Sequence, residues 1–272
     1  MHIGQSEIQH GKENDRVYLM KLAKADFPDI IDRIEALASQ NGYTKIFVKV
    51  PAWARAGFLD RGYAVEALVP KFYNGREDAL FMARYPDPAR KNRVDRETIT
   101  QIIRTAMIAP KLGAPALPKG FTHAVLTPGE AEELAVLYGA VFKSYPFPIF
   151  DAGYLRETMA SHIVYFGVRD NGRLIAASSC EMDVPHQNVE MTDFATLDAY
   201  RAKGLASFLL VRMEREMERR GILTAYTIAR SISYGMNITF GKNRYAFAGT
   251  LYSNTGICGE IESMNVWYKA LI

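Results

Sequence analysis

The stretch NVEMTDFATLDAYRAKGLASFLLVRMEREMERRG, residues 188 to 221, constrains the fold more than any other part of the chain. It begins with strand-forming residues, turns at Gly204 and continues as an amphipathic run up to Gly221, which predicts a strand followed by a helix. The first turn of a helix has unpaired N–H groups at the positive end of the helix dipole, and both favour an anion. Arg201 and Lys203 add positive charge there. The stretch predicts an anion-binding turn in an α/β protein.

A pyrophosphate is the anion that this turn suits best. Gly204 permits a close approach of the backbone, and the consecutive amides of Ala202 to Ala206 can surround two phosphate groups. A nucleotide-containing cofactor fits that arrangement. The stretch has neither the GxxxxGK[ST] loop nor the GxGxxG dinucleotide fingerprint. A solvated helix cap without a ligand stays open as the alternative from this turn alone.

Composition limits the class of protein. A chain of 272 residues with 49% hydrophobic residues holds one large domain or two modest ones, and a net charge of +3 is too small to indicate nucleic-acid binding. No apolar run approaches the ~20 residues of a spanning helix, and the N-terminus lacks the apolar stretch of a secretory signal. We therefore expect a cytoplasmic protein without membrane contact. Cys180 and Cys258 are expected to be buried thiols, and no metal site is predicted.

A linker divides the chain into two predicted domains. Three prolines and two glycines in APKLGAPALPKG, residues 109 to 120, disfavour helix and strand, so the domains span 1–115 and 119–272. Both contain the order strand, helix, strand, strand, carried by KIFVKVP…FLDRGYAVEALV…ALFMARY and TAYTIAR…FGKNRYAFAGTL…SMNVWYKAL. This repeat suggests an old duplication. The first copy has nothing like YRAKGLA, so we expect it to have lost the anion site and to be structural.

The pattern Arg-x-x-Gly-x-Ala, which follows a strand and opens a helix, resembles the acyl-CoA pyrophosphate loop of the GNAT N-acetyltransferase superfamily. Longer stretches in both halves resemble its β-lysine N-acetyltransferases: EMTDFATLDAYRAKGLA, YTIARSISYGMNITF, IESMNVWYKAL, YPFPIFDAGYLRETM and KFYNGREDALFMARY. The chain departs from that family at Asp198-Ala199, at Ala202 and at Asn243-Arg244. The resemblance implies an α/β (α+β) protein with a GNAT fold, a central mixed sheet flanked by helices, and an N-terminal degenerate GNAT-like domain. It also implies acetyl-CoA as co-substrate and a small amine as substrate.

Acetylation of an ε-amine requires a proton acceptor, because an amine with a pKa near ~10.4 is almost wholly protonated at pH 7. Glu190 lies on the strand beside the anion turn, and the resemblance implies that it is the general base. Its alternative roles are to hold the substrate ammonium or to face solvent. Asp193 projects to the opposite face of a regular strand, so it shares the pocket only if a bulge intervenes. GNAT strands often have that bulge, which keeps Asp193 as the second catalytic candidate.

The remaining site residues follow from the resemblance and from position. The backbone N–H near Thr196 is the expected donor to the thioester oxyanion, and the general acid stays unassigned, with Tyr234 and Tyr245 as nearby candidates. The residues expected to contact the cofactor are Thr196, Leu197, Arg201, Ala202, Lys203, Gly204, Leu205, Ala206 and Asn237. Those expected to contact the substrate are Tyr145, Phe147, Arg230 and Glu262, although aromatic packing, a surface acid or an ion pair explain each one singly.

Three functions stay open from the sequence. The first is acetyl transfer from acetyl-CoA to the ε-amine of β-lysine, and the second is the same reaction on another small diamine or a polyamine. The third is an acyl-CoA-binding sensor without turnover, which the unassigned acid and the altered turn allow. Release of free CoA in the presence of an amine separates the enzyme from the sensor. The sequence leaves a homodimer open.

Overall fold

The computed structural model describes residues 1–92, 95–111, 113, 115–257 and 259–271. The thiol expected at Cys258 and part of the predicted linker lie outside these residues. The strands are β1 (His2–Ile3), β2 (Ser6–Gly11), β3 (Arg16–Lys21), β4 (Lys45–Pro51), β5 (Ala64–Tyr73), β6 (Glu77–Arg84), β7 (Phe121–Val125), β8 (Ile163–Asp170), β9 (Arg173–Asp183), β10 (Asn188–Thr196), β11 (Thr224–Arg230), β12 (Ala246–Ile257) and β13 (Glu260–Ala270). The helices are α1 (Ile30–Asn41), α2 (Arg55–Asp60), α3 (Ala89–Asn92), α4 (Arg96–Ile108), α5 (Ala131–Val141), α6 (Ala152–Met159), α7 (Leu205–Arg219) and α8 (Tyr234–Lys242).

These strands form one mixed sheet in the order β1-β2-β3-β4-β6-β5-β12-β13-β11-β10-β9-β8-β7. In the first half, β3 is parallel to β4, and β6 and β5 follow in antiparallel pairs. In the second half, β10, β11, β13 and β12 repeat that order and those directions. The halves join where Gly249 of β12 pairs with Ala67 of β5. A Cβ at Gly249 would lie 2.1 Å from the Glu66 carbonyl, so the two backbones approach closely because position 249 has no side chain.

Local sequence signals set the ends of several elements. Gly42 ends α1 in the left-handed region, with φ of +66°, as a helix C-cap requires. Asn74 and Gly75 both have positive φ between β5 and β6, which is the conformation of a type I′ hairpin turn.

Helices cover the sheet, and a shared core lies between the halves. One cluster of buried residues packs α1 and α2 on the first half, and two others pack α5 to α8 on the second. A fourth cluster mixes both halves, because Phe47, Phe72 and Phe81 of the first half contact Tyr226 and Met264 of the second. Each half therefore buries apolar surface of the other. Cys180 is buried in the second half, as expected.

Helix α4 belongs to the predicted first domain but packs against the second. It precedes the proline-rich stretch in sequence, yet it packs on α8 of the second half. The contact is close because Gly241 of α8 has no side chain: a Cβ there would lie 2.1 Å from the Ala106 carbonyl. The Lys111 ammonium also donates to the Gly241 carbonyl at 2.9 Å. The first half is thus tied to the second through a helix as well as through the sheet.

We expect Gly241→Ala to destabilise the protein, because the added methyl group would collide with the backbone of α4. The overpacking should lower the free energy of unfolding by about 1–3 kcal/mol, measured by denaturant unfolding. Gly235→Ala on the same helix is the matched control, since a Cβ at that position meets nothing within 4 Å. It should be neutral or stabilise by up to about 1 kcal/mol. Equal stabilities for the two variants would contradict the close contact between α4 and α8.

Candidate active site

The anion turn, which comprises residues 201–206, lies at the surface between β10 and α7. Gly204 is the N-cap residue of α7 with φ of +75°, and Ala202 before it has φ of +62°. The Phe208 N–H donates to the Gly204 carbonyl at 3.0 Å, so the earlier N–H groups lie outside the hydrogen bonding of the helix. A Cβ at Gly204 would meet nothing within 4 Å, which leaves space for a ligand. The turn therefore has the geometry of an anion site.

Both cations of the anion turn are exposed. The Arg201 guanidinium lies 2.7 Å from the Asp198 carboxylate, and both side chains are more than half exposed. An ion pair of this kind contributes at most about 1 kcal/mol, so Arg201 can exchange it for an anionic ligand.

A cleft opens between β10 and β11. The two strands pair at Asn188 to Glu190 and diverge beyond that point. The Leu197 N–H donates to the Ile175 carbonyl of β9 at 3.0 Å. Because successive N–H groups of an antiparallel strand point to opposite edges, the Thr196 N–H is directed to the other edge of β10, where the cleft lies. The cleft is lined by Thr192, Phe194, Thr227, Ala229, Ser233 and Phe240, among others.

A bulge in β10 brings the two catalytic candidates together. The pairing of β10 with β9 shifts register between Thr192 and Ala195, and Asp193 has φ of +54°. On a regular strand Glu190 and Asp193 would face opposite sides. With the bulge, both line one cavity. The sequence predicted that Glu190 and Asp193 share a pocket only if the strand has a bulge, and this geometry agrees with that condition.

The surroundings of Glu190 favour a proton acceptor that titrates near neutral pH. Burial in the cavity and, after it, the nearby Glu181 carboxylate raise the pKa of Glu190 to about 7. The Lys49 ammonium and the Tyr226 hydroxyl oppose the increase in pKa. Lys49 donates to that hydroxyl at 3.0 Å. A carboxylate with such a pKa can both accept and release a proton at physiological pH.

Asp193 is more constrained than Glu190. One carboxylate oxygen accepts a bond from the Tyr145 hydroxyl at 2.5 Å, and the other accepts one from the Ser179 hydroxyl at 2.6 Å. Burial raises the pKa of Asp193, while these two hydroxyls act in the opposite direction. Both oxygens are therefore engaged. The arrangement fixes the Tyr145 ring at the place where the cleft and the cavity meet.

The cavity beside Glu190 is built by both halves of the chain. Its volume of about 100 Å³ exceeds the space that a single water needs, so the cavity has the scale of a small ligand. The expected residues Tyr145 and Phe147 line it. The first half adds side chains that sequence reasoning missed: Arg16, Tyr18 and Met20 from β3, and Phe47 and Lys49 from β4. The first half thus does more than the supporting role expected of it.

Arg230 and Glu262, both expected to bind substrate, bind each other instead. The guanidinium and the carboxylate form two parallel bonds, from Nε at 2.8 Å and from Nη2 at 2.5 Å. Such a bidentate pair is the strong form of this interaction. The pairing that the sequence kept open as the alternative for Arg230 is the one observed.

Asn237, expected to contact the cofactor, is fully buried in the core. Its amide nitrogen donates to the carbonyls of Arg230 and Ser233. Its amide oxygen accepts bonds from Asn265 and Trp267, both at 2.9 Å. All four hydrogen-bonding positions of the amide are used inside the protein, so we no longer expect this side chain to contact a cofactor.

The candidate acids Tyr234 and Tyr245 lie in unlike surroundings. Tyr234 is exposed at the start of α8, whereas Tyr245 packs in the core against Phe240. Neither lines the cavity or the cleft described above. Within the described part of the chain, no group of three His, Cys, Asp or Glu residues could hold a metal ion. None of the helices described is both long and apolar enough to cross a membrane.

Comparison with known proteins identifies the family. The model of the acetyltransferase (GNAT) family matches residues 131–233, which include β10, the anion turn and α7. A β-lysine N(6)-acetyltransferase from Methanococcus maripaludis is 40% identical over 99% of this chain and 97% of that protein. A second one, from Methanosarcina mazei, is 29% identical over 90% of this chain and 98% of that protein. The N-acetyltransferase YodP of Bacillus subtilis is 32% identical over 97% of this chain and 95% of that protein. The fold, the site and this full-length similarity together show that the chain is an acetyltransferase of the GNAT superfamily and belongs to the β-lysine N(6)-acetyltransferase family.

Proposed function

We propose that the protein transfers the acetyl group of acetyl-CoA to the ε-amine of β-lysine by direct attack in a ternary complex. The product, Nε-acetyl-β-lysine, would serve as a compatible solute in osmoadaptation. One observation carries the proposal: β10 has the acid-lined cavity along its length and the anion turn at its end. A single extended ligand on the free edge of β10 reaches from one to the other. The choice of β-lysine rests on the relatives that bear that name.

The anion turn suits the pyrophosphate of CoA. The N–H groups of residues 202–206 would donate to the phosphate oxygens, while Arg201 and Lys203 neutralise their charge. The Thr196 N–H would donate to the thioester oxygen as negative charge develops on it. Acetyl-CoA supplies the acetyl group and a thiolate leaving group whose pKa near ~8.5 reduces the need for a strong acid.

Glu190 would accept the proton of the attacking amine. An ammonium has no lone pair, so the attack is made by the neutral fraction of the amine, which is small at pH 7 because the amine pKa lies near ~10.4. The N–H proton of that neutral amine is too weakly acidic to pass to Glu190, with its pKa of about 7, before the attack begins. The pKa of the amine falls as its lone pair bonds to the thioester carbon, and the transfer to Glu190 then becomes favourable. Asp193 would act by holding Tyr145, because both its oxygens accept hydroxyl bonds.

We also propose the division of the chain into a degenerate GNAT-like copy, residues 1–115, and a catalytic copy, residues 119–272. The shared order and direction of strands support it. The first copy carries Asp26 and Asp29 at the entry to α1, the place that corresponds to the anion turn before α7. Carboxylates there would repel phosphate, which supports a CoA site in the second copy and not in the first.

We expect Gly204→Val to abolish detectable CoA binding in calorimetry. The branched side chain would occupy the space beside the backbone that a pyrophosphate needs, and it would strain a residue with φ of +75°. Gly221→Val is the matched control at the other end of α7, because its φ of +76° and open surroundings impose the same strain. It should fold less stably and bind CoA normally. Normal CoA affinity in a folded Gly204→Val protein would remove the turn from the proposal.

We expect Glu190→Gln to lower kcat/KM for β-lysine at neutral pH by about 10²- to 10⁴-fold, with CoA affinity retained. In the wild type, kcat/KM should rise with pH through about 7, because the base works only after it loses its proton. In the variant that rise should vanish, and the rate should instead grow towards the amine pKa near ~10.4. Steady-state kinetics between pH 5.5 and 9 (about the stable range of most proteins) measures both effects.

Glu214→Gln is the control for this experiment. Glu214 is also a buried carboxylate, but it lies on α7 and pairs with Lys269 at 2.7 Å. Its replacement should leave the pH profile unchanged. If kcat/KM of Glu190→Gln still rises through pH 7, the titration belongs to another group. Asp193 would then be the residue to replace.

A further inference from the structure

One irregular segment of β12 forms a wall of the cavity and is held by cations of the first half. The pairing of β12 with β13 shifts register between Leu251 and Thr255, so carbonyls of the intervening residues lose their partners in the sheet. The Lys45 ammonium donates to the Tyr252 carbonyl at 2.7 Å. Arg90 donates from Nε to the next carbonyl along the chain, that of residue 253, at 2.9 Å.

Arg16 is the third cation at this segment, and it faces the cavity. Its Nη1 donates to the Asn254 carbonyl and, at 3.1 Å, to the Thr255 hydroxyl. Its guanidinium lies 5.2 Å from the centre of the Tyr18 ring and 5.6 Å from that of Phe47. These partners are all neutral groups. By contrast, Lys45 pairs with Glu66 at 3.0 Å, and Arg90 pairs with Asp15 at 3.2 Å.

The hydrogen bonding around Arg16 is incomplete. Arg16 is 5% exposed, and its Nε has no hydrogen-bond partner. Asn254 beside it is 1% exposed, and its amide oxygen also has none. Both residues line the cavity. Burial lowers the pKa of Arg16 to about 10, which reflects the cost of a buried positive charge. The unpaired Nε–H of Arg16 can donate to a carboxylate. The unpaired amide oxygen of Asn254 can accept from an ammonium next to that carboxylate.

We propose that Arg16 and Asn254 bind the amino-acid head group of the substrate, with its carboxylate on Arg16 Nε and its neighbouring ammonium on Asn254 Oδ1. This inference rests on the proposed acetyltransferase function and adds the two residues that recognise the head group of the substrate. The head group lies at the wall formed by β3 and β12. The remote amine then extends along the cavity to Glu190, which lies at the opposite wall on β10.

Lys49 is the other cation in the cavity, and its contacts assign it a different task. It donates to the Tyr226 hydroxyl at 3.0 Å, and its charge lowers the pKa of both Glu181 and Glu190. The positive charge of Lys49 thus already stabilises two carboxylates of the protein. Arg16 has no such carboxylate among its hydrogen-bond partners, so a substrate carboxylate gains most there.

The consequence is a preference for amino acids over simple diamines and polyamines. A diamine without a carboxylate leaves the buried guanidinium uncompensated and adds a second cation near it. Sites built to hydrogen-bond one substrate group reject analogues that lack it by up to about 10⁴–10⁵-fold. The selectivity for a substrate carboxylate therefore depends on Arg16 of the first half.

The test compares β-lysine with 1,4-diaminopentane, which is β-lysine without its carboxylate, by the release of free CoA. We expect the wild type to prefer β-lysine in kcat/KM by at least about 100-fold. Arg16→Met keeps the length of the side chain and removes the charge, so the preference should fall below about tenfold. The ratio of the kcat/KM values for two substrates, measured on one preparation, does not depend on the fraction of protein that is folded. A partly unfolded variant therefore still gives a valid result.

Arg90→Met is the matched control, because it removes a cation from the same segment of β12 outside the cavity. It should lower stability and leave the preference at its wild-type value. A wild type that uses both amines equally, or a preference that persists in Arg16→Met or falls equally in Arg90→Met, would overturn the assignment of Arg16. In each of those cases free CoA is still released with an amine. Absence of CoA release with every amine, despite CoA binding, would instead refute the proposed function.

Discussion

The cavity depends on hydrogen bonds from three buried cations to the backbone carbonyls of residues 252–254. Backbone carbonyls that lose their partners in a sheet must find donors elsewhere, because an unpaired buried polar group costs about 1–3 kcal/mol. Lys45 and Arg90 meet that need from the first half and are themselves paired with carboxylates. Arg16 completes the set. The contact fixes β3 and β4 opposite β10 and β11, and the space left between them is the cavity.

Much of the second half was predictable because its signals are local. The glycine at 204, the amphipathic run after it and the hairpin residues near 171 each act through their own backbone conformation. The anion turn, its strand and its helix therefore followed from the sequence. The bulge at Asp193 did not follow from the strand pattern, since no glycine or proline marks it, and only the resemblance to a family suggested it.

The shared cavity was not predictable, because it depends on contacts between residues far apart in sequence. Arg16 and Asn254 are separated by more than two hundred positions, and nothing local to either indicates the other. One signal was nevertheless available. RVYLMK, residues 16 to 21, has four consecutive apolar residues, as a buried strand does, and occupies the same place in the first half as β10 in the second. An extension of the internal repeat by one strand towards the N-terminus would have placed Arg16 and Tyr18 at the position of the catalytic strand. The same distance in sequence explains why the sequence did not single out the pairing of Arg230 with Glu262 across neighbouring strands.

The continuity of the sheet across Gly249 and Ala67 also limits how the molecule can move. Enzymes made of two lobes often admit their substrates by opening at a hinge, where few contacts cross between the lobes. In this chain a strand pair, a buried hydrogen bond from Arg90 to the carbonyl of residue 253 and the packing of α4 on α8 all cross that boundary, so a hinge would have to break all three. Access must then come from a smaller motion within one half. The connection between α5 and α6 is suited to it, because it carries Tyr145 and Phe147 over the cavity without belonging to the sheet, and its motion would have to break the hydrogen bond from Tyr145 to Asp193. Exchange of substrate and product should thus be governed by a surface loop on a rigid frame.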